Sequence, residues 1–405
     1  MDNGSKDERR TRVAILENGE LTEIHYGHPS RERIVGNIYK GRVEDVLPGL
    51  GSAFVDVGER QSLFLSQGEL NDALLLERGL KPWHGTAPIQ KVLKAGQTLT
   101  LQVRREGIGS KNPQGTTKIS LPGRFWILLP NEDRLAASRR LSGVRSQRRL
   151  RRIAREIRKD GHGLIARTAA EGASQEDLEN DYQLLSKTWA SIERAARSAS
   201  APRLLHKTMG LVQAILRDRL LPDVQEVVVD SEFLHEKILA FLEYMGMESY
   251  RDRIRVHSGP KPLFAQHSVE QRIKQSLARR VELPGGGFIV IDETEALVAI
   301  DVNTGSNVQH RNQEAAILNT NLEAASVIAR QLRLRKVAGI IVIDFVDMAS
   351  TGDQQKLIDC IKAELQRDRV PADFVDITGL GLVEITRKRR GESLAEMLEN
   401  AAFDA

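Results

Sequence analysis

The sequence predicts a multidomain α/β protein with a small β-barrel set into it. Three observations carry that expectation. The chain has 405 residues and is 40% hydrophobic, more than a single core organises. Short runs of Ile, Val and Phe broken by Gly-rich turns crowd Gly36 to Leu70, the pattern of a small barrel. From Phe288 onward, strand and helix patterns alternate as in an open α/β sheet.

Taken in order, RVAILENGELTEIHYG (Arg12 to Gly27) reads as two alternating strands around Asn18-Gly19, a strong hairpin signal. Gly36 to Leu70 together with Gln97 to Leu121 supply about the five strands of an OB-fold. The loop that closes them is basic and rich in Gly, Asn and Pro around Lys111. After Phe125 come a strand, an arginine-rich helix and the segment HGLIARTAA; Ser174 to Ser198 then repeats apolar residues at helical spacing. Between about 216 and 277, LPDVQEVVVDSE and LHEKILAFLEYM suggest a strand, helix, strand unit that the N-terminal hairpin would complete.

Composition narrows the function. The single cysteine, Cys360, excludes a disulfide framework and an all-cysteine metal site within the chain, and it fits a reducing cytosol. No apolar leader or long uncharged apolar run is present, so a soluble cytoplasmic protein is expected. The formal charge is only +4, but Arg139 to Lys159 holds ten basic residues against one acid, Glu156. Such a local field suits a polyanionic partner or marks a solvated helix face.

Two apolar runs that read as buried core end in acid. ALVAIDVNTGS carries Asp301 and Asn303, and GIIVIDFVDM carries Asp344 and Asp347, with one helical pattern between them. Functional groups of α/β folds gather at the carboxyl ends of strands, which would bring Asp301 and Asp344 together. Two carboxylates at one edge repel unless protonated or bridged by a cation, and an all-oxygen set with open water positions suits Mg²⁺. Asn303, two residues on, lies on the same strand face and is placed to orient a water, a phosphate oxygen or Asp301 itself. The other reading of these aspartates is helix capping. Asp347 reads as a supporting or capping residue, and Asp292, Glu293 and Glu295 as turn polarity.

IDVNTG, then IVIDFVDM, then GLVEITRKRRGESL resembles the catalytic region of the RNase E/RNase G family of bacterial endoribonucleases. GNIYKGRV, AFVDVG and FLSQGEL resemble that family's S1-type OB-fold, and GLIARTAA its 5′-sensor segment, so the likeness runs the whole length. It implies an RNase H-like unit (1–34 and 216–277) interrupted by the OB domain (35–120) and the sensor (121–215), with a DNase I-like subdomain at 278–405. It implies that Asp301 and Asp344 hold the catalytic Mg²⁺ with Asn303 in support. It implies further that Arg167, Thr168 and Arg139 or Arg140 hold an RNA 5′-monophosphate, and that Phe54, Phe64 and Lys111 grip single-stranded RNA. For Phe54 and Phe64 the residues alone also allow barrel core.

The reaction so implied is Mg²⁺-dependent hydrolysis of single-stranded RNA leaving 5′-phosphate and 3′-hydroxyl ends. No base is identifiable, and His310 reads as a helix-start residue. A non-cleaving RNA-binding regulator and a ribosome-assembly factor are the alternatives. One departure stands out. Where the family places Cys-x-x-Cys to share zinc between subunits, this chain has Ala402 and Ala405, so zinc is not expected and any homodimer rests on side-chain packing near Glu392 to Ala401. With no scaffold tail after residue 405, the short RNase G-like type is the expected comparison.

Overall fold

The structure, a computed structural model, describes residues 11–27, 34–80, 88–107, 111–138, 140–141, 143–158, 161–305 and 313–403, the last four as backbone alone. Arg139, His310 and Ala405 lie outside the described residues, and the Ala402 side chain is not described. The chain divides into two compact units. One comprises Met1–Ser30, Val228–Glu232 and Val256–Ala405; the other comprises Arg31–Val227 and Phe233–Arg255. Of the five segments expected from sequence, 216–277 has residues in both units.

The first unit begins with the expected hairpin, β1 (Arg12–Glu17) and β2 (Glu20–Tyr26). Asn18 (φ 52°) and Gly19 (φ 79°) both take the left-handed conformation that a tight two-residue turn demands. Leu21 and Ile24 bury themselves among Phe264, Val269, Ile273 and Leu334 of the same unit.

The second unit opens with the barrel strands β3 (Ile38–Leu47), β4 (Ser52–Asp56) and β5 (Leu63–Ser66). Helices α1 (Asp72–Glu77) and α2 (Ile89–Val92) follow, then β6 (Thr98–Arg105) and β7 (Gln114–Thr116). The order β3-β4-β5-β7-β6, with β6 returning to β3, closes a five-stranded barrel consistent with an OB-fold. Ala53, Val55, Leu63, Leu65 and Leu101 fill it.

A four-stranded sheet of β8 (Leu121–Pro122), β9 (Trp126–Leu129), β10 (Leu135–Ala137) and β11 (Gly163–Ala166) comes next, in the order β10-β11-β9-β8. The arginine-rich helix α3 (Gly143–Ile157) connects β10 to β11, which run parallel and so require a crossover. Helix α4 (Gln175–Ser198) starts at a capping box, Ser174 with Asp177, one residue inside the expected start. Its face of Leu178, Tyr182, Leu185, Trp189 and Ile192 packs on the sheet with Leu150 and Ile153 of α3. Strand β12 (Arg203–His206) adds to the barrel beside β3, and α5 (Leu211–Arg219) follows; β13 (Val227–Val229), α6 (Glu232–Tyr244) and β14 (Ile254–Val256), whose residues are divided between the two units, have the expected strand, helix, strand order.

The rest of the first unit contains α7 (Leu263–Gln266) and α8 (Val269–Ser276), then β15 (Arg280–Glu282), β16 (Phe288–Glu293) and β17 (Leu297–Asn303). Helix α9 (Gln313–Arg335) leads to β18 (Gly339–Asp344), α10 (Thr351–Arg367), β19 (Ala372–Ile377), β20 (Val383–Arg387) and α11 (Leu394–Phe403). The sheet order is β15-β16-β17-β18-β20-β19, and only β17 and β18 are parallel. Helix α9 supplies their crossover.

One sequence expectation is corrected here. The two apolar runs read as buried core, but β17 and β18 are covered on one face only. Val298, Ile300, Ile341 and Ile343 pack against α9 and α10, while Ala299, Asp301, Ile340 and Asp344 are exposed on the sheet's other side. Strand side chains alternate between faces, so helices on one face bury only every second residue of an unbroken apolar run.

Candidate active site

The parallel register pairs Asp301 with Asp344 directly, so the last residue of β18 sits beside the fifth of β17. Both carboxylates are exposed, and among the described residues no lysine or arginine pairs with either. Across a strand spacing of about 4.8 Å, two such charges repel by roughly 1 kcal/mol even when fully hydrated. Asn303 Nδ2 donates to Asp301 Oδ2 at 2.8 Å, which fixes that carboxylate and realises one of the three roles open to Asn303 from sequence. Neither aspartate caps a helix: both are strand residues, and α10 is capped by Ser350, whose Oγ accepts from Asp353 N. Asp347 is exposed and is not that cap. No third His, Cys, Asp or Glu joins a metal-holding group among the described residues.

Sequence reasoning missed what holds β18 in place. Asn321 of α9 is fully buried; its Nδ2 donates to the Val346 carbonyl (2.8 Å) and its Oδ1 accepts from Val346 N (3.1 Å). A side-chain amide thus pairs with a backbone amide two residues past Asp344, as a neighbouring strand would. The available signal was a polar residue in register with the apolar stripe Ala324, Ala325 and Ile328 at i+3, i+4 and i+7. At the end of β17, Gly305 has φ 67°, and a Cβ there would collide with the Gly286 carbonyl. The run Gly285 to Gly287 therefore closes on the residues just after Asn303.

In the second unit, the residues after β10 and β11 lie side by side. Ser138 N donates to the Ala166 carbonyl at 2.8 Å, Ser138 Oγ and Thr168 Oγ1 stand 3.3 Å apart, and Arg140 N reaches Ser138 Oγ at 3.3 Å. Thr168 and Arg140 are exposed. Arg167 is mostly buried: its guanidinium donates to Asp218 Oδ1 at 2.6 Å and to the Gly123 carbonyl. Burial pushes the Asp218 carboxyl upward, but the Arg217 hydrogen bond and the Arg167 charge outweigh it and hold Asp218 below the usual carboxylate range. The Gly123 loop is itself anchored by Asp181, which accepts from the backbone N–H groups of Arg124, Phe125 and Trp126 at 3.0, 2.8 and 2.9 Å. Burial raises the Asp181 carboxyl above its ordinary value despite those three donors. Neither aspartate was singled out by sequence.

On the barrel, Phe54 and Phe64 face each other across β4 and β5 with ring centroids 5.9 Å apart and an interplanar angle of 67°. They alternate with the core residues Ala53, Val55, Leu63 and Leu65, so they point outward and are half-buried, unlike barrel core. Lys111 is exposed, in a segment tied to the same place by Asn112 Nδ2 on the Ser62 carbonyl (2.9 Å) and Phe64 N on the Pro113 carbonyl (2.8 Å). Cys360 is half-buried against the α9 and α10 core, and burial raises its thiol. Asp292 pairs with Arg279 at the surface.

Exposed paired acids and massed arginines ask for partners of opposite sign, and an enzyme acting on a phosphodiester chain meets both demands. Comparison with known proteins makes the class specific. The sequence profile of the ribonuclease E/G family matches residues 120–390, and the chain belongs to that family. It is 37% identical to ribonuclease G of Salmonella typhimurium (strain SL1344) over 392 residues, covering 96% of this chain and 80% of that protein. The figures are the same for ribonuclease G of Escherichia coli (strain K12). Ribonuclease E of Nostoc sp. (strain PCC 7120) is 38% identical over 366 residues, 90% of this chain and 52% of the relative. The chain is an endoribonuclease, of the ribonuclease G-like type. Among the described residues no helix is long and apolar enough to cross a membrane.

Proposed function

We propose that this endoribonuclease cuts single-stranded RNA in a Mg²⁺-dependent hydrolysis, is stimulated by a 5′-monophosphate, and leaves 5′-phosphate and 3′-hydroxyl ends. The observation that carries the reading is the register of Asp301 against Asp344, with Asn303 bonded to Asp301. Two exposed carboxylates that pair with no lysine or arginine among the described residues fit a hard divalent cation, which takes oxygen ligands and keeps several waters. The chemistry such a cation supplies when bound is a polarised phosphoryl oxygen and a water of lowered pKa. Asp301 and Asp344 hold it, and Asn303 keeps the Asp301 oxygen from rotating away. Phe54 and Phe64 offer aromatic faces to unpaired bases, worth about 1–3 kcal/mol per base, with Lys111 on the backbone. Arg167, Thr168 and Arg140, with Arg139 beside it in sequence, form the 5′-phosphate site.

In this reading the segments are an RNase H-like unit (1–34 and 216–277), an S1-type OB domain (35–120), a 5′-sensor (121–215) and a DNase I-like subdomain (278–405). The setting is the cytoplasm and the work is rRNA and tRNA processing and mRNA decay. Any homodimer forms without a zinc link, because alanine at 402 and 405 offers no ligand atom.

The test incubates a 5′-monophosphorylated, A/U-rich oligonucleotide with the protein, with and without Mg²⁺, alongside Asp301→Asn and Asp344→Asn. Cleavage is expected only with Mg²⁺. Each substitution is expected to lower turnover by roughly three orders of magnitude or more while RNA binding stays within about twofold, since the grip comes from other residues. Near-parental cleavage by either variant would remove the carboxylate pair from the reaction.

A further inference from the structure

The arginine-rich helix α3 takes no part in the proposed reaction or in the 5′-phosphate site, whose Arg139 and Arg140 precede it in sequence. The structure sorts its basic side chains into two groups. Arg149, and Arg158 just past the helix end, are tied to the protein: Arg149 donates to the carbonyls of Glu171 and Ala173, and Arg158 pairs with Asp133. Arg145, Arg148, Arg151, Arg152 and Arg155 are exposed. At about 100° per residue these five fall within an arc of roughly 120°, while Leu150, Ile153 and Ala154 turn to the core on the other side. Among the described residues only Arg152 has an acidic neighbour, Glu156, at a loose 3.8 Å. The result is a straight stripe of guanidinium groups about 15 Å long at 1.5 Å rise per residue, four of the five without an acidic partner among the described residues.

We propose that this face of α3 is a second docking surface, and that it takes the sugar-phosphate backbone of a double-helical segment of the RNA. The ribonuclease family of the chain supplies the polyanion; the helix supplies the reason for a duplex. A surface that grips unpaired RNA needs aromatic faces for splayed bases, as Phe54 and Phe64 offer on the barrel. GVRSQRRLRRIAREI contains no aromatic residue, so it can contact phosphates and 2′-hydroxyls but cannot stack bases. Paired RNA presents only that backbone and a wide, shallow minor groove, and is read by shape and charge. Guanidinium forks suit phosphate oxygens bidentately, and three- and four-residue steps place successive forks about 5–6 Å apart.

The experiment replaces Arg145, Arg148, Arg151, Arg152 and Arg155 together by Gln, and in a second protein by Lys. Gln is helix-compatible and these positions are on the surface, so melting temperature is expected to stay within a few degrees. Fluorescence anisotropy in chelator, with each RNA checked on a gel for integrity afterwards, measures binding to a blunt RNA hairpin, to an unstructured oligonucleotide and to phosphatidylglycerol vesicles across a salt series. The Gln protein is expected to bind the hairpin at least tenfold more weakly, with the log–log salt slope reduced by roughly 3–4, since each lost phosphate contact removes about 0.9. The Lys protein is expected to keep most of that slope, and the unstructured oligonucleotide to bind within twofold of parent. Unchanged hairpin binding, an equal loss on the unstructured strand, or a loss confined to vesicles would each overturn the proposal. Because the RNA is shown to be intact after each titration, failure of the Mg²⁺ reading leaves this result interpretable.

Discussion

The strand edge at Asp301 and Asp344 and the segment at Arg167 handle charge in opposite ways. The two aspartates stand exposed in register with no basic partner among the described residues, and their one fixed neighbour is a neutral amide. Arg167 is mostly buried and already compensated, by Asp218 and the Gly123 carbonyl. The first arrangement leaves a charge deficit that only a ligand can fill. The second spends its charge on holding a guanidinium in a fixed pose, so an incoming phosphate would gain from orientation more than from net charge. Large functional losses are therefore expected at the strand edge and graded ones at the arginine.

The sharpest probe of this contrast after the aspartates themselves is Asn321, which touches no ligand yet sets the backbone beyond Asp344. Asn321→Ala leaves the half-buried Val346 N–H and carbonyl without their side-chain partners, at a cost of about 1–3 kcal/mol of stability. It is also expected to raise the Mg²⁺ concentration for half-maximal cleavage by about tenfold, with RNA binding unchanged. Asn321→Asp keeps the acceptor but sets a carboxylate oxygen against the Val346 carbonyl at a fully buried position, and is expected to cost at least as much stability as the alanine. If stability drops but the Mg²⁺ dependence does not move, Asn321 is merely a core residue.

A more moderate effect is expected from Arg167→Gln. Preference for a 5′-monophosphorylated over a 5′-hydroxyl oligonucleotide is expected to fall several-fold towards unity, with cleavage of the 5′-hydroxyl strand unaltered. Equal preference in parent and variant would place the phosphate elsewhere.

The smallest effect is one of pH. Asp218 is held below its ordinary value, so its contribution to stability is present above the unfolded carboxylate value of about 4 and disappears as pH falls through the folded one. The urea midpoint of the parent is expected to exceed that of Asp218→Asn near neutrality, and the gap to narrow in acid. A gap that stays constant down to strong acid would mean that the ion pair contributes nothing.

Legibility in the sequence followed the distance between interacting residues. The Asn18-Gly19 hairpin, the barrel strands and the helix from Ser174 to Ser198 were readable because each depends on neighbours a few positions away. The meeting of Asp301 and Asp344 was readable too, because a helix between two strands makes them parallel and brings like ends together. Asp181 and Asp218 were not. They act on residues 57 and 51 positions away, and nothing in their local pattern distinguishes them from surface acids. The apolar runs of β17 and β18 misled because an unbroken run does not say how many faces are covered.

What the sequence determined by itself was the set of elements, the family, and the chemical types brought to each strand end, since periodicity, turn residues and motif order are properties of local chain. Only the tertiary structure decided which charges are left open and which are already answered. It turned Phe54 and Phe64 outward, locked Asn303 onto Asp301, engaged Arg167 with Asp218, and left five arginines of α3 facing solvent. Compensation of a charge is a through-space matter, acting over a few ångströms between groups that the chain separates by tens of residues.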